Sequence, residues 1–341
     1  MNMPMRNSRS WIAGFVVPIL MLGEAIAADL SHQNRADTHK PAALSTDYLR
    51  VLRPNSNTVC LEVAARKFVP SNHQGPIVWL TGASHIGESN YFRALQRHLD
   101  AQDLVLYEGV KRWPEDTAAG SLQEVDERSL QLAVAESLGL AFQLKAIDYR
   151  RPHFRNSDLS IPELQRCLSQ NLVDARDSKG AGELKALLTL MDGSSFLSKV
   201  VQFGVRLIGS TPKLQALAKL ALIETLGELR GDLSQAPGLP PEISQLVHVI
   251  LQSRNDAVAK DLATALKQRP PVRSLAIFYG AAHMPDLQKR LCDQFAYRVA
   301  GEVWHTAISV EPGKSGVNEE EANLIRKLVR AQMDELNSPS D

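Results

Sequence analysis

Cysteine is scarce in this chain of 341 residues, which contains only Cys60, Cys167 and Cys292. The three lack C-x-x-C spacing and have no histidine at ligand spacing, so a zinc-finger type of site is excluded. In an oxidising compartment they allow one disulfide and leave one thiol over. We therefore expect each of them to serve packing rather than chemistry.

An excess of charge of one sign is also missing, because 38 basic residues are balanced by 38 acidic ones. This balance gives no support for a nucleic-acid partner, which would favour a basic surface. The apolar run 196–208 carries Lys199 and Arg206, and a membrane span needs about 20 apolar residues. We interpret the run as an amphipathic core or cap helix, and expect no stable membrane span in the mature chain.

The first 27 residues have the three parts of a secretory signal peptide. Arg6 and Arg9 precede an apolar core over 11–22, and Ala25-Ile26-Ala27 forms a small-x-small cleavage site. A retained anchor is the less favoured interpretation, because the core is short and a good cleavage site follows it. We expect an exported protein, periplasmic or secreted, whose residues 28–46 form a polar leader.

Apolar runs alternate with helical patterns after this leader. Strands are predicted at Ile77–Leu80, Leu104–Tyr107 and Gln143–Ile147, with helices at Ser89–Leu99 and Leu122–Leu138 between them. A β-α-β-α-β order favours a mostly parallel sheet with helices against it. The predicted class is α/β, with a mixed, largely parallel sheet flanked by helices.

The rest of the chain fits one α/β domain over 47–310. Its helical insertion is predicted at 161–228, and a long helix over 241–268 precedes a strand at 275–279. Residues 311–341 form a linker and an amphipathic helix, expected to pack on the domain or face a partner. Homo-oligomerisation remains open.

A Gly-x-x-His pattern occurs twice, each time where a strand ends. Gly82-Ala83-Ser84-His85 follows the first strand, and Gly280-Ala281-Ala282-His283 follows the last. Each unit reads strand, motif, helix, which suggests two related halves. Ligands of open α/β sheets bind beyond the carboxyl ends of the strands, so we expect both imidazoles in one site, as metal ligands or general bases.

Glu108 ends the neighbouring predicted strand and should project into the same crevice. Its carboxylate there can complete a metal site with the two imidazoles or act as a general base, although a helix cap or a surface carboxylate is an equal alternative. Glu88, in the first turn of a helix, is better explained as a favourable end charge.

Arg254 interrupts the apolar stripe of the helix over 241–268. A buried guanidinium needs an anion, and the candidates are Glu108, Asp148 or a substrate carboxylate or oxyanion. Asn255 beside it can orient a ligand through its amide. The polar segment 148–158 suits substrate contact, support of the site or a charged surface loop.

Together these residues resemble the TraB/PrgY/GumN and Tiki group of the erythromycin-esterase/ChaN-like superfamily. That group has two Gly-x-x-His motifs, a Glu after the second strand and an Arg-Asn pair before the second motif, matched here by His85, Glu108, Arg254, Asn255 and His283. This chain has Asp148-Tyr149-Arg150 where the group has an Asp-Arg pair, and Ala83 where a Thr commonly follows the glycine.

The resemblance implies a fold of two related halves and three possible activities. Tiki-like members are metal-dependent proteases using manganese or cobalt, esterase-like members use a histidine base without metal, and ChaN-like members bind haem. We expect an exported, peptidase-like metallohydrolase acting on a peptide or small molecule. His85, Glu108 and His283 would hold a divalent ion (Mn or Co, or Zn), Arg254 would stabilise the oxyanion or substrate carboxylate, and Asn255 would position it.

Overall fold

The computed structural model describes residues 47–109, 130–160, 162–164, 166–167, 210–228 and 241–337. The predicted signal peptide (1–27), the polar leader (28–46) and most of the predicted insertion (161–228) lie outside these residues. Within them the chain is an α/β protein with a mixed sheet flanked by helices, which confirms the predicted class.

The main sheet has seven strands: β1 Leu49–Asn55, β2 Thr58–Pro70, β3 Ile77–Ala83, β5 Leu104–Tyr107, β7 Phe154–Asn156, β8 Ser274–Gly280 and β9 Tyr297–Val310. Their order is β1-β2-β3-β8-β5-β7, with β9 also paired to β2. A separate two-stranded sheet pairs β4 (Ile86–Gly87) with β6 (Ala141–Phe142).

The centre of the main sheet is parallel and its outer part is antiparallel. β3 pairs parallel with β8, β8 with β5, and β5 with β7, whereas β2 pairs antiparallel with β1, β3 and β9. β8 is buried from Leu275 to Gly280, as expected for a continuous apolar run covered on both faces. Parallel strands end at one edge, so β3, β5 and β8 deliver the residues that follow them to one place.

Helices cover the sheet, and they are numbered here in chain order. They are α1 Ser89–Asp100, α2 Leu130–Ser137, α3 Gln143–Ala146, α4 Pro212–Glu228, α5 Pro241–Leu266, α6 Met284–Asp293 and α7 Glu319–Asn337, with 3-10 turns at Ala281–His283 and Pro312–Ser315. α1 buries Tyr91, Phe92, Leu95 and Leu99 on one face, at the spacing expected of an amphipathic helix. Each such side chain contributes about 1.5–3 kcal/mol through burial.

The strand predicted at Gln143–Ile147 is wrong, because Gln143–Ala146 form the short helix α3. The third parallel strand is instead β7, only three residues long. A tertiary contact explains the difference: the backbone N–H of Gln143 donates to the carbonyl of His85 at 2.8 Å, at the end of the small β4–β6 sheet. Short apolar runs do not distinguish a strand from a buried helix.

The carboxy-terminal helix α7 packs against α4. Lys213 pairs with Glu321 at 2.7 Å, and Arg326 pairs with Glu224 at 3.2 Å, across this contact. None of the helices in the described part of the chain combines the length and apolar character that crossing a membrane requires.

His98, in the last turn of α1, should make stability depend on pH. Its Nε2 lies 3.1 Å from Thr81 Oγ1, and its ring meets Trp79 edge-on at 4.8 Å. Burial, reinforced by His305, lowers the pKa of His98 from 6.5 to about 4. Protonation therefore favours the unfolded chain, and stability that is complete above pH 6.5 is lost as pH falls towards 4.

Denaturant unfolding of wild type and His98→Gln checks this prediction. Between about pH 8 and pH 5, the free energy of unfolding of wild type should fall by about 2 kcal/mol more than that of the variant. An equal fall in both proteins would contradict it.

Candidate active site

The two histidine motifs and Glu108 meet at the carboxyl ends of three adjacent parallel strands. Ala83 of β3 lies opposite Gly280 of β8, so each strand leads into its motif at the same level. On the other side of β8, the backbone N–H of Glu108 donates to the carbonyl of Phe278 at 2.9 Å. Residues far apart in the sequence thus come together in one place, as the motif pattern predicted.

Arg254 joins two carboxylates in a buried cluster. Its Nη2 lies 2.7 Å from Glu108 Oε1 and 2.6 Å from Asp158 Oδ2, and its Nε donates to Asp158 Oδ1 at 3.0 Å. The Asp158 side chain is fully buried and also accepts from the backbone N–H groups of Gly109 and Leu159. The predicted anion partner Glu108 is therefore present, and Asp158 takes the place considered for Asp148.

Glu108 is held ionised by its surroundings. Burial by itself would raise the pKa of its carboxyl, but the Arg254 charge, the two imidazoles and the Gly280 N–H together hold that pKa well below its usual range. The Gly280 N–H donates to Glu108 Oε2 at 2.5 Å, while Oε1 faces Arg254. Contacts from β8 and α5 therefore fix the directions of both Glu108 oxygens, and with them the orientation of the carboxylate.

His283 is held through its Nδ1 by Asn255 of α5. The two atoms Nδ1 and Asn255 Oδ1 lie 2.7 Å apart, and Asn255 Nδ2 donates to Asp286 Oδ2 at 2.8 Å. Since a carboxylate only accepts, the amide nitrogen must face Asp286 and the amide oxygen must face the ring. His283 Nδ1 therefore carries the proton, and the unprotonated Nε2 lies 3.7 Å from Glu108 Oε1.

His283 is buried, with only 3 % of its surface exposed. Burial, opposed by the Glu108 charge, lowers the pKa of His283 to about 4, so the ring is neutral near pH 7. Arg290 donates to Asp286 at 2.5 Å and so fixes the carboxylate to which Asn255 is bonded. Asn255 thus orients a histidine rather than a ligand directly.

His85 is held in a matching way by a residue from outside its motif. Its Nδ1 lies 2.9 Å from Gln143 Oε1, and Gln143 Nε2 donates to the Tyr149 hydroxyl at 2.8 Å. Its Nε2 lies 3.5 Å from the point that a β-carbon on Gly280 would occupy, and Glu108 Oε2 lies 3.3 Å from that point. Both atoms therefore border the same small space above Gly280.

The two motif glycines have different roles. Gly280 has φ −50° and ψ 141°, which any residue adopts, so its value lies in the missing side chain beside His85 and Glu108. Gly82 faces β2 instead, where a β-carbon would lie 3.1 Å from the carbonyl oxygen of Ala64. Close approach of neighbouring atoms, and not a left-handed backbone, favours glycine at both positions.

Three residues of this arrangement were not predicted individually: Asp158, Gln143 and Asp286. Asp158 lay within the polar segment 148–158, whereas nothing in the spacing of Gln143 or Asp286 signals a link to a histidine. Asp148 lies away from the cluster and pairs with the exposed Arg150 at 3.2 Å. Glu88 is the N-cap residue of α1 rather than part of its first turn, and its carboxylate accepts from the backbone N–H of Ser309 at 2.9 Å.

Among the described residues, no group of three or more His, Cys, Asp or Glu side chains is spaced as a ready metal site. Comparisons with family models, with curated proteins and with solved structures found no match. Membership of the TraB/GumN/Tiki group therefore remains a hypothesis that rests on the motifs and their order.

Replacing Arg254 by methionine should strongly destabilise the protein, because two buried carboxylates would lose their cation. We expect the free energy of unfolding to fall by about 3–5 kcal/mol in denaturant titration. The matched control is Arg150→Met, since that side chain is 84 % exposed, and its change should stay within about 0.5 kcal/mol. Equal stability of the two variants would refute a structural role for the cluster.

Proposed function

We propose that this chain is an exported, metal-dependent hydrolase of the TraB/GumN/Tiki type, acting on peptide or other acyl bonds. The observation that carries the proposal is that His85 and His283 both lie beside Glu108 at the carboxyl ends of β3, β5 and β8, with His85 and Glu108 bordering Gly280. Open α/β sheets bind ligands at this edge. Export follows from the predicted signal peptide, and cell fractionation would check it.

The chemistry of the donors fits a divalent ion. Two imidazoles and an ionised carboxylate suit Mn, Co or Zn, and both rings are anchored at Nδ1, the usual support of a metal-binding histidine. Glu108, Asp158 and Arg254 together leave one negative charge, which a cation would compensate. The support comes from donor type, charge and the space beside Gly280 rather than from a ready-made ligand set.

Each residue has a definite part in this proposal. His85, His283 and Glu108 would hold the ion, which when bound would polarise a carbonyl and make a water molecule more acidic. Arg254 keeps Glu108 ionised and aimed, and Asn255 keeps His283 Nε2 towards Glu108. Arg254 therefore acts through Glu108, which replaces the oxyanion-stabilising role expected from the sequence.

A metal-free esterase is a second candidate, favoured by one observation. Both oxygens of Glu108 already face donors, Arg254 and the Gly280 N–H. His85 is half-buried, and its Nε2 borders the same space, so it could accept a proton from a nucleophile by itself. This candidate predicts ester hydrolysis that survives strong chelation.

Hydrolysis assays on the full chain, beside elemental analysis, test the proposal. Peptide and ester turnover should fall about 100-fold or more in His85→Ala and His283→Ala, and chelation should abolish it until manganese is restored. His73→Asn is the matched control, because His73 is an exposed turn residue before the opposite end of β3.

Three outcomes separate the candidates. Unchanged turnover in His85→Ala would end both hydrolase versions. Turnover that resists chelation would favour the histidine-base esterase. A Soret band on haem titration that disappears in His283→Ala, without hydrolysis, would support the haem-binding alternative instead.

Gly280→Ala should separate activity from stability. The alanine methyl would lie 3.3 Å from Glu108 Oε2 and 3.5 Å from His85 Nε2, filling the space where reactants are proposed to bind. The backbone already suits alanine, so we expect stability to change by about 1 kcal/mol or less while turnover falls about 100-fold.

The control is Gly301→Ala in β9, where a β-carbon would meet nothing within 4 Å. This variant should keep wild-type turnover. Full activity in Gly280→Ala would show that the proposed reaction space is misplaced.

A further inference from the structure

Only 2 % of the surface of Gln143 is exposed, although its side chain ends in a polar amide. A buried amide is costly unless its polar atoms are paired. Gln143 uses its backbone N–H on the His85 carbonyl (2.8 Å), its Oε1 on His85 Nδ1 (2.9 Å) and its Nε2 on the Tyr149 hydroxyl (2.8 Å). Two of these three contacts of Gln143 are therefore with His85, and the third is with Tyr149.

Tyr149 is itself fixed by aromatic packing. Its ring centroid lies 4.9 Å from that of Tyr107, 6.3 Å from that of Phe154 and 6.4 Å from that of Phe278, on strands β5, β7 and β8. Burial raises the pKa of the Tyr149 hydroxyl, which therefore stays protonated. The hydrogen bonds that connect Tyr149 through Gln143 to His85 therefore start from a side chain packed against the main sheet.

We propose that Gln143 is a positioning residue that holds His85 with its proton on Nδ1 and its lone pair on Nε2, directed at the space above Gly280. An amide oxygen can only accept, so the ring nitrogen facing it must donate. A neutral imidazole has a single N–H, and the hydrogen bond at one nitrogen sets the state of the other. Both proposed hydrolase mechanisms need an unprotonated Nε2, and this catalytic consequence rests on the proposed function.

The second motif provides a precedent within the same molecule. His283 is held at Nδ1 by the Asn255 amide oxygen, and there the Asp286 carboxylate dictates which way the amide faces. Tyr149 does not dictate the orientation of Gln143 in this way, because a hydroxyl can donate or accept. The Tyr149 contact alone therefore does not determine which nitrogen of His85 carries the proton. A flipped Gln143 amide would place the proton on Nε2.

Long-range ¹H–¹⁵N correlation spectra of the full chain with labelled histidine test this proposal without substrate or metal. At about pH 8, where histidines are neutral, His85 should show a protonated Nδ1 and a bare Nε2, as should His283. In Gln143→Leu, His85 should lose this pattern while His283 keeps it, which shows that the fold survives. Gln143→Glu retains the acceptor and should preserve the pattern.

Kinetics provide the second measurement. We expect kcat of Gln143→Leu to fall about 10- to 100-fold with little change in KM, as is usual for residues that orient a site histidine. Gln143→Glu should recover part of this loss. Gln268→Leu is the matched control, since that glutamine is exposed at the end of α5, and it should leave both kcat and the His85 spectrum unchanged.

The outcomes for the two proposals are distinguishable. A wild-type spectrum with the proton on His85 Nε2 would overturn the role of Gln143 even if Gln143→Leu did not fold, and so would a Gln143→Leu protein with unchanged spectrum and kcat. A chain that hydrolyses nothing but shows the expected spectra would refute the proposed function and leave the positioning role intact.

Discussion

The buried ion cluster of Arg254 with Glu108 and Asp158 is the interaction on which the site depends. It connects α5 to the end of β5 and to the segment after β7, and the Gly280 N–H adds β8. Buried charges are stable only when paired and hydrogen-bonded, so these elements must keep their relative positions for the cluster to exist. The direction of the Glu108 carboxylate is then a consequence of the fold, and the space beside it acquires a fixed shape.

The two histidines beside that carboxylate are held in the same way. Each ring follows a strand and a glycine, and each is held at Nδ1 by an amide from elsewhere in the chain, Gln143 or Asn255. The two amides differ in their second partner, because Asn255 donates to the Asp286 carboxylate whereas Gln143 donates to the Tyr149 hydroxyl. A carboxylate makes the amide a stronger acceptor, so His283 is the more firmly directed ring, and its burial suits a fixed partner of Glu108.

Sequence reasoning predicted the residues that meet at the strand ends because that part of the site follows from strand periodicity. Parallel strands end together, so Glu108 and the two motif histidines could be placed before any coordinates. The supports of these residues carry no such signal: Gln143 lies in a short apolar stretch that suits a strand, yet it begins the short helix α3, with its backbone N–H bonded to the His85 carbonyl. Side-chain partners far apart in the chain have no spacing to read, and Asp158 could be recognised only as part of a polar segment.

Charge balance indicates what the site can accept. Two carboxylates against one guanidinium leave one negative charge among largely buried groups, and the His283 ring is neutral near pH 7 because burial lowers its pKa to about 4. Compensating this charge by a proton on His283 is therefore unfavourable, because it would bury an imidazolium. A cation from solvent, bound by unprotonated Nε2 atoms, would compensate the charge without forming a buried imidazolium. On this reasoning a cation from solvent would complement the cluster better than a proton on His283, which is the charge argument behind the proposed metal ion.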